Sequence, residues 1–284
     1  MSDPLSHPLL ETLMQGAAIG AEDVFGFACR GCGHLCCTNK TVLVAPPEAL
    51  RIQWRIARNN LPQRRWGQIS LGGSTGLPVV SLRFDDPGRR CVFSRTVRVR
   101  GRTVGALCTI RDARPGPCRI YPLGRAQLYH IESLEFKSEY RIVEHCPGFD
   151  PNAEEGVPEL KQPAPEGQTV SAWLAGQLQP EVETEKQFYL ERVIAAFMAR
   201  RLHAPTEDNP AGGLPKRLAL ALLGPMFYPT LRAPEEPGDD HKRVMQWLAS
   251  LVEAAERIAH RLASLFAEQP GSLGPDHSPS SNGR

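Results

Sequence analysis

Apolar and polar positions change their spacing near residue 150, and this change predicts an α+β fold in two parts. The first part, at about 20–150, has short apolar runs broken by glycine and proline, which is typical of strands and turns. These runs predict strands at 41–44, 78–84, 91–94, 97–99, 103–107, 126–131 and 140–143. Helices are predicted at 7–20 and at 46–59, where Pro46-Pro47-Glu48 is a helix-start signal.

Apolar positions beyond residue 150 recur at helical spacing and predict a helical C-terminal part at 171–268. A stretch rich in proline, glutamate and glycine, at 151–170, predicts a linker before it. One helix is predicted from Glu183 to Arg201 and a long one from Asp240 to about Phe266. The polar tail at 270–284 is predicted to be disordered.

The long predicted helix carries an apolar stripe that must be covered by other residues. Its members are Val244, Trp247, Leu248, Leu251, Val252, Ala255, Ile258, Leu262 and Leu265. Apolar neighbours at both i+3 and i+4 make this stripe wider than a coiled-coil seam. We therefore expect the helix to pack within the chain, and the protein to be a monomer.

The chain begins without a signal for export. Residues 1–25 lack a basic start followed by an apolar run, and no window reaches the roughly 18 apolar residues of a membrane-spanning helix. The sequence therefore predicts a cytoplasmic protein without a membrane segment. Thiols remain reduced in that compartment.

Basic residues are concentrated in one window. Residues 51–125 hold sixteen arginines and three aspartates, although the whole chain has a net charge of only +2. The arginines lie on several predicted elements with few aromatic residues between them, so nucleic-acid binding is not expected. Charge balance within the fold is the favoured interpretation, and arginines near an anionic thiolate–metal centre would offset its charge.

Eight cysteines carry the strongest chemical signal in this sequence. They are Cys29, Cys32, Cys36, Cys37, Cys91, Cys108, Cys118 and Cys146. A C-x-x-C pair lets two thiolates reach one metal from a tight turn. Disulfides do not suit a reducing compartment, inert buried thiols explain only one or two of the eight, and a thioredoxin-type pair leaves six unexplained. The cysteines therefore predict a metal site.

The sequence around the later cysteines is also informative. Cys91-Val-Phe and Leu107-Cys108-Thr-Ile precede Arg114-Pro115-x-x-Cys118-Arg119-Ile-Tyr121-Pro122, and Cys146-Pro147-Gly148 closes the set. With these motifs, residues 25–150 resemble the YkgJ-type cysteine-cluster family, a zinc- or iron-chelating domain. Every cysteine of the family pattern is matched, whereas Arg111 stands where the family usually has an aromatic residue. The resemblance implies a small, irregular domain that a metal centre holds together.

The spacing of the cysteines narrows the choice of metal. Iron–sulfur clusters are often held by three cysteines close in sequence and a remote one followed by proline, as Cys29, Cys32 and Cys36 with Cys146-Pro147 would allow. Zinc remains the alternative, since eight cysteines also divide into two four-thiolate sites. The adjacent Cys36 and Cys37 suit two centres, or one ligand and one supporting thiol.

The resemblance implies metal binding first, and then electron transfer or a cluster-dependent modification as an oxidoreductase-like protein with an unidentified protein or redox partner. Two alternatives belong to other classes: a zinc-stabilised interaction module without catalysis, and an enzyme similar to the protein lysine N-methylases. The sequence shows no glycine-rich phosphate loop, no nucleophile elbow and no S-adenosylmethionine motif, so no catalytic residue is assigned.

Overall fold

Short antiparallel sheets and helices share the fold, which confirms the α+β class. The computed structural model describes residues 17–29, 31–32, 36–38, 40–61, 66–73, 75–85, 90–130, 135–142, 146–149, 167–206, 212–229 and 239–267. Three predictions lie wholly or partly outside these residues: the first ten residues of the helix at 7–20, most of the linker, and the tail at 270–284. The domain boundaries stay a prediction.

The strands are short and fall into five small sheets in the described part of the chain. In chain order they are β1 Ala17–Ile19, β2 Val24–Phe25, β3 Leu43–Val44, β4 Gly67–Leu71, β5 Pro78–Leu82, β6 Phe84–Asp85, β7 Arg90–Cys91, β8 Ser94–Val99, β9 Arg102–Cys108, β10 Leu123–His130, β11 Glu135–Ile142 and β12 Gln168–Thr169. The sheet orders are β1-β11-β10 and β3-β5-β4, with three two-stranded pairs: β2 with β12, β6 with β7, and β8 with β9. The strands predicted at 97–99 and 103–107 are confirmed as parts of β8 and β9, which form a hairpin in which Val99 pairs with Arg102.

The helices are α1 Pro46–Arg58, α2 Gly116–Ile120, α3 Val170–Gln177, α4 Pro180–Phe188, α5 Ala195–Ala199, α6 Lys216–Phe227 and α7 Asp240–Ala267. A π-helical segment, Tyr189–Ile194, joins α4 to α5, so the helix predicted from Glu183 is continuous and begins at Pro180. The predicted long helix is confirmed as α7. Among the described residues, no helix is long and apolar enough to cross a membrane.

Two predicted elements are wrong in part. Residues 17–19 of the predicted first helix form strand β1, because they pair with Tyr140–Ile142 on the edge of β11. Pairing of this kind overrides the weak helical preference of a short segment. The single strand predicted at 91–94 is two strands, since β7 ends at Cys91 and β8 begins at Ser94.

Two hydrophobic cores hold the fold. The large core joins α1 and β5 to the C-terminal helices, with Trp54, Phe197 and Phe227 among its fully buried side chains. The stripe of α7 contributes Val244, Leu248, Leu251 and Ala255 to it. The small core consists of Phe25, Phe27, Leu123 and Val170. The expectation that α7 packs within the chain is therefore confirmed.

Ion pairs account for several arginines of the basic window. Arg51 pairs with Glu185 at 2.5 Å, and Arg58 pairs with Asp240 at 2.7 Å. Further pairs are Arg55 with Asp112, Arg83 with Asp85, and Arg125 with Glu183. Part of the positive charge is therefore balanced by acidic residues of the helical part.

Candidate metal centre

The loop at 29–38 brings two adjacent thiols together. The sulfur atoms of Cys36 and Cys37 lie 3.6 Å apart. Cys32 is buried, whereas Cys29 is exposed. Gly31 has a φ of 62°, a left-handed conformation that glycine adopts without the cost borne by other residues. This conformation favours glycine directly before Cys32.

Backbone hydrogen bonds tie this loop to the segments that carry Cys91 and Cys108. The amide of Ala106 donates to the Gly31 carbonyl at 2.8 Å, and the amide of Cys91 donates to the Cys37 carbonyl at 2.9 Å. Cys108 ends strand β9 and pairs with Ser94. The end of the β8–β9 hairpin that carries Cys108 therefore lies against the cysteine loop.

Cys118 is held in place by a buried carboxylate. It lies in the short helix α2, whose first residue, Gly116, donates its amide to the Glu48 carboxylate at 2.6 Å. The other Glu48 oxygen accepts from the Ala45 amide at 3.0 Å, so the same side chain begins α1. Lys186 lies 3.6 Å from this carboxylate and balances its charge. Glu48 thereby fixes the helix of Cys118 against α1.

Cys146 lies far along the chain from the cysteine loop, yet its segment packs against the start of that loop. The Gly148 carbonyl accepts a hydrogen bond from the Ala28 amide at 3.0 Å. A Cβ atom on Gly148 would lie 2.5 Å from the Phe27 ring and 2.6 Å from the Ala28 carbonyl oxygen, so only glycine fits this approach. The Cys146 thiol is hydrogen-bonded to Cys32.

The pKa values of the hairpin and α2 thiols show how closely they are grouped. Burial raises the pKa of Cys118 well above its ordinary value, and the nearby thiols of Cys91, Cys108 and Cys36 raise it further. Burial, with Cys108 and Cys36 nearby, raises the pKa of Cys91 to about 11. Burial likewise raises the pKa of Cys108. Each thiol disfavours ionisation of its neighbours because the thiolates would repel one another.

Neighbouring thiols and burial also raise the pKa values of Cys36 and Cys146. The hydrogen bond with Cys37 and then burial raise the pKa of Cys36, and Cys32 adds to the rise. The hydrogen bond with Cys32 and then burial raise the pKa of Cys146, with Cys36 also nearby. A bound cation would reverse this preference, since metals bind the thiolate form.

The donor chemistry fits a metal centre, although the thiols do not surround one point closely. All eight cysteines are described, and none of them forms a disulfide. Within the described residues, no group of three or more histidine, cysteine, aspartate or glutamate side chains could hold a metal ion as it stands. Binding a single ion would therefore require the thiols to draw together.

Arginines and a tyrosine surround the thiols. Arg114 donates to the Arg111 carbonyl at 3.1 Å, and Arg119 donates to the Arg114 carbonyl at 2.7 Å. The charge of Arg114 lies near Cys108 and lowers its pKa in opposition to burial. Burial raises the pKa of Tyr121, whose hydroxyl is hydrogen-bonded to Cys146. These side chains can stabilise thiolates without binding the metal.

A groove of about 500 Å³ is lined by residues of β10, β11, α3 and α4. Its charged lining includes Arg125, Glu183 and Lys186, and the two cations are only 9% exposed. Arg125 binds Glu183 at 2.6 Å. Burial alone would raise the pKa of Glu183, yet the two cations lower it below its ordinary value. The charges of the groove therefore compensate one another.

No protein-family model, no curated protein and no solved structure matches this chain. The resemblance to the YkgJ-type family therefore stays a prediction that rests on the cysteine motifs.

Sequence reasoning missed two residues of this region. Glu48 was visible only as a helix-start signal, and its bond to Gly116 joins elements far apart in the chain. Tyr121 belonged to a motif, but nothing in the sequence indicated that its hydroxyl reaches Cys146.

Proposed function

We propose that this protein binds a metal through its cysteine thiolates, and that the metal is held as an iron–sulfur cluster. The observation that carries the proposal is that four cysteine-bearing segments converge, since backbone hydrogen bonds join Gly31 to Ala106, Cys37 to Cys91 and Ala28 to Gly148. Thiols spread so widely come together only if tertiary structure assembles them. A group of reduced cysteine thiols is the usual ligand set of a soft metal.

Two arguments support a cluster over single ions. The hydrogen bond between Cys146 and Cys32 joins a C-x-x-C loop to a remote cysteine that precedes proline, which is a common cluster arrangement. Four sulfur atoms around one zinc ion would be about 3.8 Å apart. In a cluster each thiolate instead binds a different iron atom, so its cysteines need not lie around one point.

When bound, an iron–sulfur cluster supplies one-electron transfer. The chain would contribute thiolates, the Arg114 charge near Cys108 and the Tyr121 hydroxyl near Cys146, all of which affect the potential of a centre. We therefore propose electron transfer or a cluster-dependent modification as the role, with a protein or redox partner.

A zinc-stabilised interaction module is the second candidate. It is favoured by one distance, since the 3.6 Å between the Cys36 and Cys37 sulfur atoms suits two ligands of a single ion. Zinc in that site would stabilise the fold and supply no redox chemistry.

Absorption spectra of anaerobically purified protein test the proposal. We expect brown protein with sulfur-to-iron absorption that bleaches with dithionite or air. Cys32→Ala should lose much of this absorption, while Thr103→Ala, an exposed change on β9, should keep it. Colourless protein with stoichiometric zinc would contradict the iron–sulfur assignment and favour the second candidate. Protein without metal would contradict both.

A further inference from the structure

The β8–β9 hairpin and its flanking residues carry much of the basic charge of this chain. Residues 87–111 hold seven arginines and no lysine, aspartate or glutamate. Because the whole chain has a net charge of +2, all other residues together carry a formal charge of −5, which is +2 less +7. The charge is therefore polarised between a positive hairpin segment and a remainder that is negative overall.

Four arginines of the hairpin are exposed and have no acidic partner in the fold. They are Arg95, Arg98, Arg100 and Arg102. Among the residues that the structure describes, none of the four forms an ion pair, whereas arginines on other elements bind carboxylates of the helical part. Charge balance within the chain therefore does not explain the arginines of the hairpin.

The pairing of the two strands places basic and apolar side chains on one outer face. Arg95 lies opposite Leu107, and Val99 lies opposite Arg102. Arg95 and Val99 point to the same side of β8, because side chains alternate along a strand. Val99 and Leu107 are each 38% exposed, whereas the neighbouring Ala106 is 6% exposed. Arginine beside uncovered apolar side chains is a composition typical of protein–protein interfaces.

The turn at the tip of the hairpin holds an arginine in an unfavourable conformation. Arg100 has a φ of 48° and Gly101 a φ of 78°, so both central residues of this two-residue turn are left-handed. Such turns favour asparagine or aspartate before the glycine, and a long side chain there carries a conformational cost. A Cβ atom on Gly101 would meet nothing within 4 Å, so the tip is open. An arginine kept at this position fits a role in binding rather than in folding.

The other end of the hairpin lies beside candidate metal ligands. Strand β8 begins three residues after Cys91, and β9 ends at Cys108, directly after the exposed Leu107. The amide of Ala106 donates to the carbonyl of Gly31 in the cysteine loop at 2.8 Å. A partner that covers Leu107 therefore lies next to a residue of the candidate metal centre.

We propose that the β8–β9 hairpin is a docking surface for an acidic patch on a partner protein. Its four exposed arginines pair with carboxylates, which guanidinium groups bind through two hydrogen bonds. Val99 and Leu107 pack against apolar side chains between those carboxylates. Opposite charges also steer and orient the two proteins as they meet. This inference rests on the proposed function, since it names the chemistry of the partner with which the centre exchanges electrons.

An acidic protein suits this hairpin better than a nucleic acid does. A duplex carries phosphates along its whole length, and beyond the hairpin it would meet a remainder of the chain that is net negative. The strands have six and seven residues, a span of about 20–24 Å. Residues 94–108 contain no aromatic ring on which a base could stack. A compact acidic patch matches the size and the composition of the hairpin.

Binding of an acidic peptide to two variants of equal net charge tests the docking surface. The probe is a fluorescently labelled peptide of glutamates interspersed with a few leucines, and anisotropy is measured at about 50 mM salt, where screening is weak. The hairpin variant replaces Arg95, Arg98, Arg100 and Arg102 by glutamine. The control variant replaces four exposed arginines of the helical part, Arg192, Arg217, Arg243 and Arg261, by glutamine.

We expect the hairpin variant to bind the peptide at least about tenfold more weakly than wild type, and the control to stay within about twofold. Equal weakening in both variants, or wild-type protein that does not bind the peptide, would overturn the inference. Tighter binding of a DNA duplex than of the peptide, lost in the hairpin variant, would also overturn it, because the partner would then be a nucleic acid.

Two further measurements keep these outcomes separate. If the hairpin variant does not fold by circular dichroism, Arg100→Gln alone, on the open tip, should still weaken peptide binding at least about twofold, and unchanged binding would overturn the inference. Metal and sulfide are measured in the same wild-type sample. Protein that binds the peptide but contains no metal would contradict the proposed function alone, and protein with metal that does not bind the peptide would overturn the docking surface alone.

Discussion

At the scale of single residues, Glu48 does most to position the candidate centre. Its side chain is 4% exposed and accepts hydrogen bonds from Gly116 and Ala45. A buried carboxylate that satisfies two backbone donors and faces Lys186 cannot be replaced by an amide without loss, because the amide nitrogen is itself a donor. This residue links the start of α1 to the helix of Cys118.

Glu48→Gln should lower the free energy of unfolding by about 1–3 kcal/mol, since one buried donor loses its acceptor. It should also speed the loss of metal to a chelator, because the helix of Cys118 is less firmly held. Denaturant unfolding and chelator competition measure the two effects. Glu253→Gln removes a carboxylate that is 70% exposed and should change neither. Equal behaviour of the two variants would contradict the positioning role.

At the scale of elements, a buried charge cluster joins three helices. Glu185 of α4 is fully buried, and it binds Arg51 of α1 at 2.5 Å and His241 of α7 at 2.8 Å. Burial raises the pKa of Glu185, although Arg51 and His241 oppose the rise. These partners therefore favour the ionised carboxylate against the cost of its burial.

Arg51→Ala should lower the free energy of unfolding at pH 7 by roughly 3–5 kcal/mol, because it leaves a buried charge without its main partner. Arg257→Ala, in a pair that is 66% and 70% exposed, should cost under about 1 kcal/mol. Chemical denaturation of both variants measures the difference. A similar cost for the two would show that Glu185 is not the anchor of these helices.

The Arg51→Ala penalty should depend on pH in a defined direction. Because the folded-state pKa of Glu185 is raised, its protonated form is favoured by folding, and this contribution is lost as pH rises through that pKa. Without Arg51 the pKa rises further, so the penalty should shrink as pH falls from 7 towards 5. Unfolding curves at both pH values, against Arg257→Ala, measure this. A penalty that grows on acidification would contradict the account.

Helix α7 provides a second prediction at this scale. Leu251 is 3% exposed within the large core, whereas Ala249 is exposed on the same helix. Leu251→Asp should cost at least about 3 kcal/mol and increase the binding of an apolar dye, because it buries a charge among apolar side chains. Ala249→Asp should do neither. Sedimentation should give a monomer for wild type, and a dimer that Leu251→Asp converts to folded monomer would show an interface instead.

At the scale of the whole molecule, the sequence predicted regular elements better than their assembly. Helices α1 and α7 were predicted almost to the residue, because their helix starts and apolar stripes are local signals. Strand β1 was mistaken for helix, because pairing with β11 lies far along the chain. All eight candidate cysteines were visible in the sequence, whereas the packing of Cys91, Cys108 and Cys118 on one core and of Cys146 on the other was not. That arrangement depends on tertiary structure.

The metal should support one part of the molecule more than the other. Cys29→Ser or Cys32→Ser should leave the cysteine-rich part, 20–150, sensitive to protease, because its sheets are small and its loops many. The C-terminal helices should survive longer, since α7 also packs against α4 and α5. Limited proteolysis with mass spectrometry measures the pattern, with Thr103→Ala as the control. Equal resistance of the cysteine variants and wild type would count against metal-dependent folding.

The central claim, that these thiols hold an iron–sulfur centre, is tested most directly by elemental analysis of wild-type protein purified without oxygen. Iron, zinc and acid-labile sulfide are measured per chain, together with the thiols that a reagent can titrate in the native state. The account predicts at least about two iron atoms and a similar amount of sulfide per chain, with most thiols protected. Protein that contains neither metal nor sulfide and reacts at all eight cysteines would contradict it.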